Sequence, residues 1–229
     1  MATLYVVATP IGNLEDMTLR AIRVLKECDA VLCEDTRMTS KLLSHYAIKK
    51  PLVSYHMHSG VAKYDKMFAL LEEGKTLCLV SDAGTPTISD PGARLVHEVR
   101  ERFGDTVRIE AIPGASAVAA ALSISGVDAD TFTFLGFPPH KKGRETYFTN
   151  IPTYHHTVVF YESPHRIMKA LTALSKILPE DRTVTVVREI TKIHEEVVQG
   201  TPDDVHAHFT AHPDTVRGEF VVVISPTAK

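Results

Sequence analysis

The sequence predicts an α/β protein of two lobes, with a mostly parallel sheet in the N-terminal lobe and a mixed α+β C-terminal lobe. Its 229 residues are long for one ordinary domain and sufficient for two small ones. Strand-like and helix-like segments alternate up to about residue 115, which is typical of parallel sheets. After that point several strand-like segments follow one another directly, which favours a mixed sheet. We therefore expect domains at 1–115 and 116–229.

Five apolar, β-rich runs predict the strands of the first lobe: LYVVA, DAVLCED, PLVSYH, KTLCLVSD and VRIEAIPG. Helical patterns lie between them, at 13–28 with Asn13 as the cap, at 38–46, at 61–73, and from Ser89-Asp90-Pro91 to residue 104. The continuous hydrophobicity of KTLCLVSD predicts a sheet that is covered on both faces.

A helix of small residues, ASAVAAALSIS, begins the second lobe. Strands are predicted for TFTFLGF, TVVFYESPHR, TVTVVREI, EEVVQGT and GEFVVVIS, and one helix for 167–177. No internal repeat, low-complexity tract or linker is evident.

Composition narrows the class of protein. Hydrophobic residues make up 44% and charged residues 23%, as in ordinary globular proteins. No apolar run approaches the ~18 residues of a membrane span, and no basic leader precedes the first apolar stretch, so we expect a cytoplasmic protein. The net charge of −3 argues against nonspecific coating of nucleic acid but allows a local basic face.

The cysteines and histidines give no indication of a disulfide or a metal. Cys28, Cys33 and Cys78 form an odd set in which two members lie inside apolar runs, so we expect reduced core thiols. The closest histidine pairs, 155–156 and 206–208, have no nearby cysteine or carboxylate at a recognised ligand spacing. We therefore expect no metal.

Common nucleotide-binding motifs are missing. Gly74-Lys75-Thr76 resembles the end of a phosphate loop, but Ala69 stands where the first glycine belongs and a strand follows. The first strand-to-helix turn contains a single glycine, Gly12, so the three-glycine dinucleotide fingerprint is absent. Ordinary NAD chemistry therefore has little support.

Four polar turns with glycine or proline follow predicted strands, at residues 9–13, 34–37, 81–87 and 113–117. Open α/β sheets bind ligands at the carboxyl ends of their strands, so the four turns predict a single ligand crevice. The alternative is a set of tight strand-to-helix turns that bind nothing.

Eight motifs together resemble the bacterial small-subunit ribosomal RNA 2′-O-ribose methyltransferase I family: ATPIGNLEDMTLRA, CEDTRMTSKLL, SDAGTPTISDPG, IPGASA, FLGFPPHKKGR, FYESPHR, REITKIHEE and GEFVVVI. The resemblance covers essentially the whole chain in order. It implies the two-lobed tetrapyrrole-methylase-like fold, with S-adenosylmethionine as methyl donor in a cleft between the lobes, a homodimer, and no metal. It also implies a substrate, a cytidine ribose in small-subunit (16S) ribosomal RNA or the ribosomal particle.

The resemblance also implies donor-binding residues. Those of the SDAGTP and PGASA turns are Asp82, Gly84, Thr85, Ser116 and Ala117, and weaker matches are Pro10, Tyr161, Arg188 and Glu219. Glycines at 84 and 114 suit close approach of backbone to such a donor.

Residues 34–37 are candidates for the chemistry. A ribose hydroxyl is a weak nucleophile at neutral pH, so a base or a cation beside it accelerates its reaction. Glu34 and Asp35 are candidate bases, and Arg37 is a candidate clamp for a phosphate or carboxylate. The alternative is that the segment caps the next helix and forms a local ion pair. Glu162 and Arg166 have the same two interpretations, a role in the chemistry or a local ion pair.

The densest basic run, Lys141, Lys142 and Arg144, predicts a loop that contacts the RNA backbone. A short solvated charge run is the alternative. Many members of the resembled family have a further helical segment after GEFVVVI, whereas this sequence stops at Lys229; we expect the donor site to be unaffected.

Two other functions stay open. One is a methyltransferase of the same fold that acts on a tetrapyrrole or a modified protein side chain. The other is a regulatory module that binds the donor without turnover.

Overall fold

A computed structural model describes residues 1–55 and 61–227 of the chain, which divides into two compact units, Met1–Ser116 and Ala117–Lys229. The first unit contains strands β1 (Ala2–Val7), β2 (Ala30–Cys33), β3 (Leu52–Ser54), β4 (Thr76–Leu79) and β5 (Val107–Ile112), with helices α1 (Leu19–Glu27), α2 (Thr36–His45), α3 (Val61–Glu72) and α4 (Gly92–Phe103). The last residue of the predicted PLVSYH strand, His56, lies outside the described residues.

The sheet of the first unit has the order β3-β2-β4-β1-β5, and every pair in it is parallel. Helices cover both of its faces, as predicted. Leu32 packs in one hydrophobic cluster with Leu95 of α4, while its neighbour Val31 packs in another with Leu25 of α1. Adjacent strand residues point to opposite faces, so this pattern requires apolar side chains at successive positions.

The helix predicted from Asn13 begins later than expected. A short 3-10 helix covers Leu14–Asp16, and α1 begins only at Leu19. The Thr18 side-chain oxygen caps α1 by accepting a hydrogen bond from the Ala21 backbone N–H at 3.1 Å. Asparagine and threonine are both favourable N-caps, so the hydrophobic periodicity does not decide whether the helix begins after Asn13 or after Thr18.

The second unit contains α5 (Ala117–Ser125), β6 (Phe132–Phe134), α6 (Arg144–Thr149), β7 (Thr157–Glu162), α7 (Ile167–Ser175), β8 (Val184–Arg188), β9 (Glu196–Gly200), α8 (Pro202–Ala211) and β10 (Phe220–Ile224). Its sheet has the order β6-β7-β10-β8-β9. β6 and β7 pair in parallel and the other neighbours are antiparallel, which confirms the predicted mixed sheet.

Helices α6 and α8 were not predicted. α8 has a strong start signal, because the Thr201 hydroxyl accepts from the Asp204 backbone N–H at 3.1 Å and the Asp204 carboxylate accepts from the Thr201 N–H at 3.1 Å. Pro202 is the first residue of this helix. A capping box with proline in the first turn is a sequence signature of a helix start, so residues 201–204 alone indicate this helix.

Arg182 ties two distant segments of the second unit together. It is 1% exposed, and its guanidinium donates to the Ser225 carbonyl at 2.7 Å, which lies just after β10. It also donates to the carbonyls of Tyr154 at 2.9 Å, His156 at 3.3 Å and Ile151 at 3.4 Å, all before β7. One buried cation therefore satisfies four backbone acceptors.

The three cysteines are free and buried, which confirms that they are core thiols. Across residues 1–55 and 61–227, no cluster of three histidine, cysteine or acidic side chains is arranged to hold a metal ion. None of the helices in that part of the chain is long and apolar enough to cross a bilayer.

Candidate active site at the carboxyl edge of the parallel sheet

The turns after β1, β4 and β5 are joined by hydrogen bonds. The Thr9 backbone N–H donates to the Gly84 carbonyl at 2.9 Å, and the Gly84 N–H donates back to the Thr9 carbonyl at 3.1 Å. The Thr85 hydroxyl donates to the Ala115 carbonyl at 3.0 Å. Three of the four predicted turns therefore form one connected edge, as expected for the carboxyl ends of parallel strands.

This edge is tight enough to require glycine. Gly84 has φ +78°, and a Cβ there would lie 3.2 Å from Ile11 Cγ2. A Cβ on Gly114 would lie 3.0 Å from the Ala8 Cβ. Contacts within the protein thus account for both glycines, whether or not a ligand also approaches them.

The turn after β2 joins the same edge. The Asp35 backbone N–H donates to Asp82 Oδ1 at 3.2 Å, across 47 residues of sequence. An open pocket of about 440 Å³ lies at this junction, and its lining residues are Glu34, Asp35, Thr36, Arg37, Ser54 and Asp82. Its volume falls in the range of small-molecule sites, about 300–1,000 Å³. The predicted catalytic segment and one predicted donor residue therefore lie together.

Asp35 and Arg37 interact with each other. Asp35 is the N-cap of α2, and its Oδ1 accepts from the Arg37 backbone N–H at 2.8 Å. The Arg37 guanidinium lies 2.6 Å from Asp35 Oδ2, and these hydrogen bonds lower the pKa of Asp35 to about 2. α2 thus begins at Thr36, two residues before the predicted start at Met38. The capping and ion-pair alternative describes this geometry, and a catalytic role for the pair stays a prediction.

Glu34 has a different environment. Burial raises the pKa of its carboxyl above the usual value, and the nearby charges of Asp90 and Asp82 raise it further. Two adjacent carboxyl groups thus have pKa values shifted in opposite directions, an arrangement that separates a permanent anion from a proton acceptor.

Asp90 was read from sequence only as part of a helix start. Its carboxylate accepts from the backbone N–H groups of Thr87 and Gly92, both at 2.7 Å, and burial raises the pKa of the group. Thr87 and Ser89 have φ values of 76° and 63°, a strained conformation for non-glycine residues. The Ser89-Asp90-Pro91 signal indicates only a helix start, and it does not reveal the effect of the Asp90 charge on Glu34, which lies on a different turn.

The other predicted donor residues of this edge lie on the turns themselves. Pro10 follows the Thr9–Gly84 bridge. Ser116 immediately precedes α5, and Ala117 is the first residue of that helix. Their role as donor contacts stays a prediction.

Tyr161, Arg188 and Glu219 lie near one end of the second sheet, because β10 is hydrogen-bonded between β7 and β8. Burial raises the pKa of Tyr161. Arg188 Nε lies 2.9 Å from Glu196 Oε2, and the Glu219 carboxylate lies 2.9 Å from Lys192 Nζ. The two charged residues thus already have partners, and their proposed contact with the donor is untested.

The predicted RNA-contacting run divides into two parts. Lys141 and Lys142 are exposed. The side chain of Arg144 is only 18% exposed and lies 2.9 Å from the buried carboxylate of Glu162. Arg166 lies 3.0 Å from the other oxygen of the same carboxylate. The ion-pair alternative therefore describes Glu162 and Arg166, and RNA contact by the run stays a prediction.

Comparison with known proteins identifies the class. The family described as Tetrapyrrole (Corrin/Porphyrin) Methylases matches residues 3–206. A uroporphyrin-III-C-methyltransferase from Thermus thermophilus has the same fold, with a TM-score of 0.67, 19% identity, and coverage of 97% of this chain and 94% of that one. The chain is a member of the tetrapyrrole methylase family.

Two curated relatives place it more narrowly. Both are named ribosomal RNA small subunit methyltransferase I. The protein from Synechocystis sp. is 44% identical over 98% of this chain and 79% of its own length. The protein from Thermotoga maritima is 40% identical over 98% of this chain and 99% of its own length. The chain belongs to the ribosomal RNA small subunit methyltransferase I family, which confirms the resemblance.

Proposed function

We propose that the chain transfers a methyl group from S-adenosylmethionine to the 2′-oxygen of a cytidine ribose in small-subunit (16S) ribosomal RNA. The observation that carries this proposal is the near full-length identity of 40–44% to proteins named as methyltransferases of that RNA. We also expect a homodimer, a cytoplasmic location and a reaction without metal. These expectations rest on the sequence patterns and the resemblance alone.

The pocket beside Asp82 suits the proposed donor, which carries a sulfonium and an ammonium group and supplies an electrophilic methyl group when bound. Its lining includes the carboxyl groups of Glu34, Asp35 and Asp82, which favour a cation. We propose that Asp82 holds the positively charged part of the donor.

Glu34 is our candidate for the proton acceptor. Its raised pKa makes it a better base than Asp35, whose charge the Arg37 guanidinium stabilises. The Arg37 side chain is 86% exposed, so its free N–H groups are accessible to an RNA phosphate. Most of the acceleration would come from alignment of the ribose oxygen with the methyl group.

Purified protein, incubated with methyl-labelled S-adenosylmethionine, tests the proposal. We expect label in small-subunit RNA or particles, recovered as 2′-O-methylcytidine after complete digestion, and none in a porphyrinoid added in parallel. Label in the porphyrinoid alone would assign the chain to tetrapyrrole chemistry. Donor binding with no labelled product from either substrate would favour the regulatory module.

Asp82→Ala is expected to weaken donor binding about tenfold or more, because hydrogen bonds to charged groups contribute about 1.5–3 kcal/mol. Titration calorimetry measures the affinity. Asp105→Ala, which removes an exposed carboxylate from the 3-10 turn before β5, is the matched control and should bind normally. Asp82→Asn keeps an acceptor for the Asp35 N–H and so separates the loss of charge from the loss of the turn contact. Unchanged affinity in Asp82→Ala would remove this turn from the donor site.

A further inference from the structure

The loop between β6 and α6 is fixed to the rest of the second unit by its backbone. The Tyr161 N–H of β7 donates to the Gly136 carbonyl at 2.9 Å. The next two fixed points are consecutive proline carbonyls: Pro138 accepts from Arg166 Nη1 at 3.1 Å and Pro139 from Arg144 Nη1 at 3.4 Å. We call residues 137–142 the 137–142 loop.

Glu162 connects the two arginines that hold this loop. Its carboxylate is fully buried, with Arg144 Nη2 at 2.9 Å from Oε2 and Arg166 Nη2 at 3.0 Å from Oε1. The Ser163 backbone N–H also donates to Oε1, at 2.8 Å. Charge-assisted hydrogen bonds of this kind are short and strong, so the three side chains hold the Pro138 and Pro139 carbonyls of the loop in place. We call Arg144, Glu162 and Arg166 the arginine bracket.

The 137–142 loop presents an aromatic ring beside cations. Phe137 is 52% exposed, although its ring contacts Tyr161 with centroids 5.2 Å apart. His140, Lys141 and Lys142 follow it and are all exposed. No carboxylate lies between Phe137 and Arg144 in the sequence, so no acidic side chain of the loop neutralises the two lysines.

An exposed ring next to unneutralised lysines has the chemistry of a surface for single-stranded nucleic acid. Bases stack on aromatic side chains, and lysines neutralise the phosphates on either side. Base stacking needs the base to be unpaired, whereas phosphate contact alone suits any RNA. The combination therefore favours an unpaired RNA segment over a duplex.

We propose that Phe137 stacks on an unpaired base of the RNA substrate, that Lys141 and Lys142 contact the flanking phosphates, and that the arginine bracket positions all three. This inference rests on the proposed function and names the part of the RNA that the enzyme holds. Arg144 acts through the loop and does not itself contact RNA.

Binding of a single-stranded RNA oligonucleotide containing the target cytidine, measured at two salt concentrations, tests the stacking contact. Phe137→Ala is expected to weaken binding about 5- to 150-fold at both concentrations, the range for loss of one stacked base. Phe137→Trp should bind normally. Phe132→Ala, which removes a ring that is 45% exposed on β6 outside the loop, is the matched control and should also bind normally.

The lysines and the bracket have separate readouts in the same assay. Lys141→Ala with Lys142→Ala should reduce the salt slope by about 1.4, because each phosphate contact to a single strand contributes about 0.7. Glu162→Gln, assayed where circular dichroism shows it folded, should lower both the RNA affinity and the salt slope while donor affinity stays at the wild-type value. An unchanged slope in folded Glu162→Gln would overturn the positioning role.

Three outcomes would overturn the inference, and they separate it from the proposed function. If wild-type protein methylates RNA and Phe137→Ala binds as tightly as Phe132→Ala, the stacking contact is wrong and the methyltransferase assignment stands. Weakened donor affinity with normal RNA affinity in Phe137→Ala would assign the ring to the donor site. If the wild-type protein neither binds nor methylates RNA, both the proposed function and this inference fail.

Discussion

An RNA in which only the target nucleotide lacks its 2′-hydroxyl is expected to bind almost normally and to accept no methyl group. Phosphates and neighbouring bases dominate affinity, so one missing hydroxyl has little effect on binding. The hydroxyl oxygen is the proposed nucleophile, so without it there is no atom to methylate. Labelled-methyl incorporation and filter binding on matched ribose and deoxyribose substrates measure the two quantities. Efficient methylation of the deoxy substrate would place the methyl group on a base.

Variants of residues 34–37 refine that experiment. Glu34→Ala is expected to lower turnover of the all-ribose substrate by about 10²- to 10⁴-fold, the usual contribution of a general base. Donor and RNA affinity should change much less, as expected for an interaction made mainly in the transition state. Asp35→Ala tests the ion pair in the same way, whereas Arg37→Ala should lower RNA affinity as well, because its guanidinium is the proposed phosphate contact. Normal turnover in all three variants would leave the 2′-O assignment intact and return the segment to a structural role.

Arg182→Met is expected to lower the free energy of unfolding by at least about 3 kcal/mol, because hydrogen bonds to a charged group contribute about 1.5–3 kcal/mol each. The substitution leaves the carbonyls of Ser225, Tyr154, His156 and Ile151 without the buried donor that now serves them. Urea denaturation, with hydrogen exchange of the β10 amides as a local probe, measures the loss.

The control for this stability experiment is an exposed arginine in the same unit. The side chain of Arg217 is 73% exposed and pairs with an exposed aspartate, so Arg217→Met should change stability by less than about 0.5 kcal/mol. Arg182→Lys keeps the charge and one nitrogen, and should be intermediate. Equal stability of Arg182→Met and Arg217→Met would show that the buried guanidinium is not needed to join the two segments.

Local sequence patterns predicted most of the elements and their pairing class. The apolar run at KTLCLVSD became β4, buried on both faces, and the alternation of strands and helices predicted the parallel sheet. The failures were also local in origin. The start of α8 is indicated by its capping box at Thr201 and not by hydrophobic periodicity, and the sequence permits both Asn13 and Thr18 as the cap of α1.

Contacts between residues that are distant in the sequence were harder to predict. Turn chemistry predicted that residues 34–37 and 81–87 would share an edge, but not that the Asp35 N–H would bind the Asp82 carboxylate. In the sequence Arg144 resembles one more cation of an exposed run, because its partner Glu162 lies 18 residues away, on strand β7. A charge run in sequence does not distinguish a solvated lysine from an arginine paired with a buried carboxylate, since only the tertiary fold provides the partner.

The strand orders have a consequence for how the chain reaches its native state. In the first sheet β1 lies between β4 and β5, so the earliest strand to be synthesised is available as a template for its neighbours. In the second sheet the inner strand β10 is the last of the described strands, and β7 and β8 acquire their shared partner only when it has been made. Both sheets contain pairings of large sequence separation, β1 with β5 in the first and β7 with β10 in the second, and such pairings form slowly. During synthesis the unpaired strand edges of the second sheet stay open to aggregation until Phe220–Ile224 inserts between them.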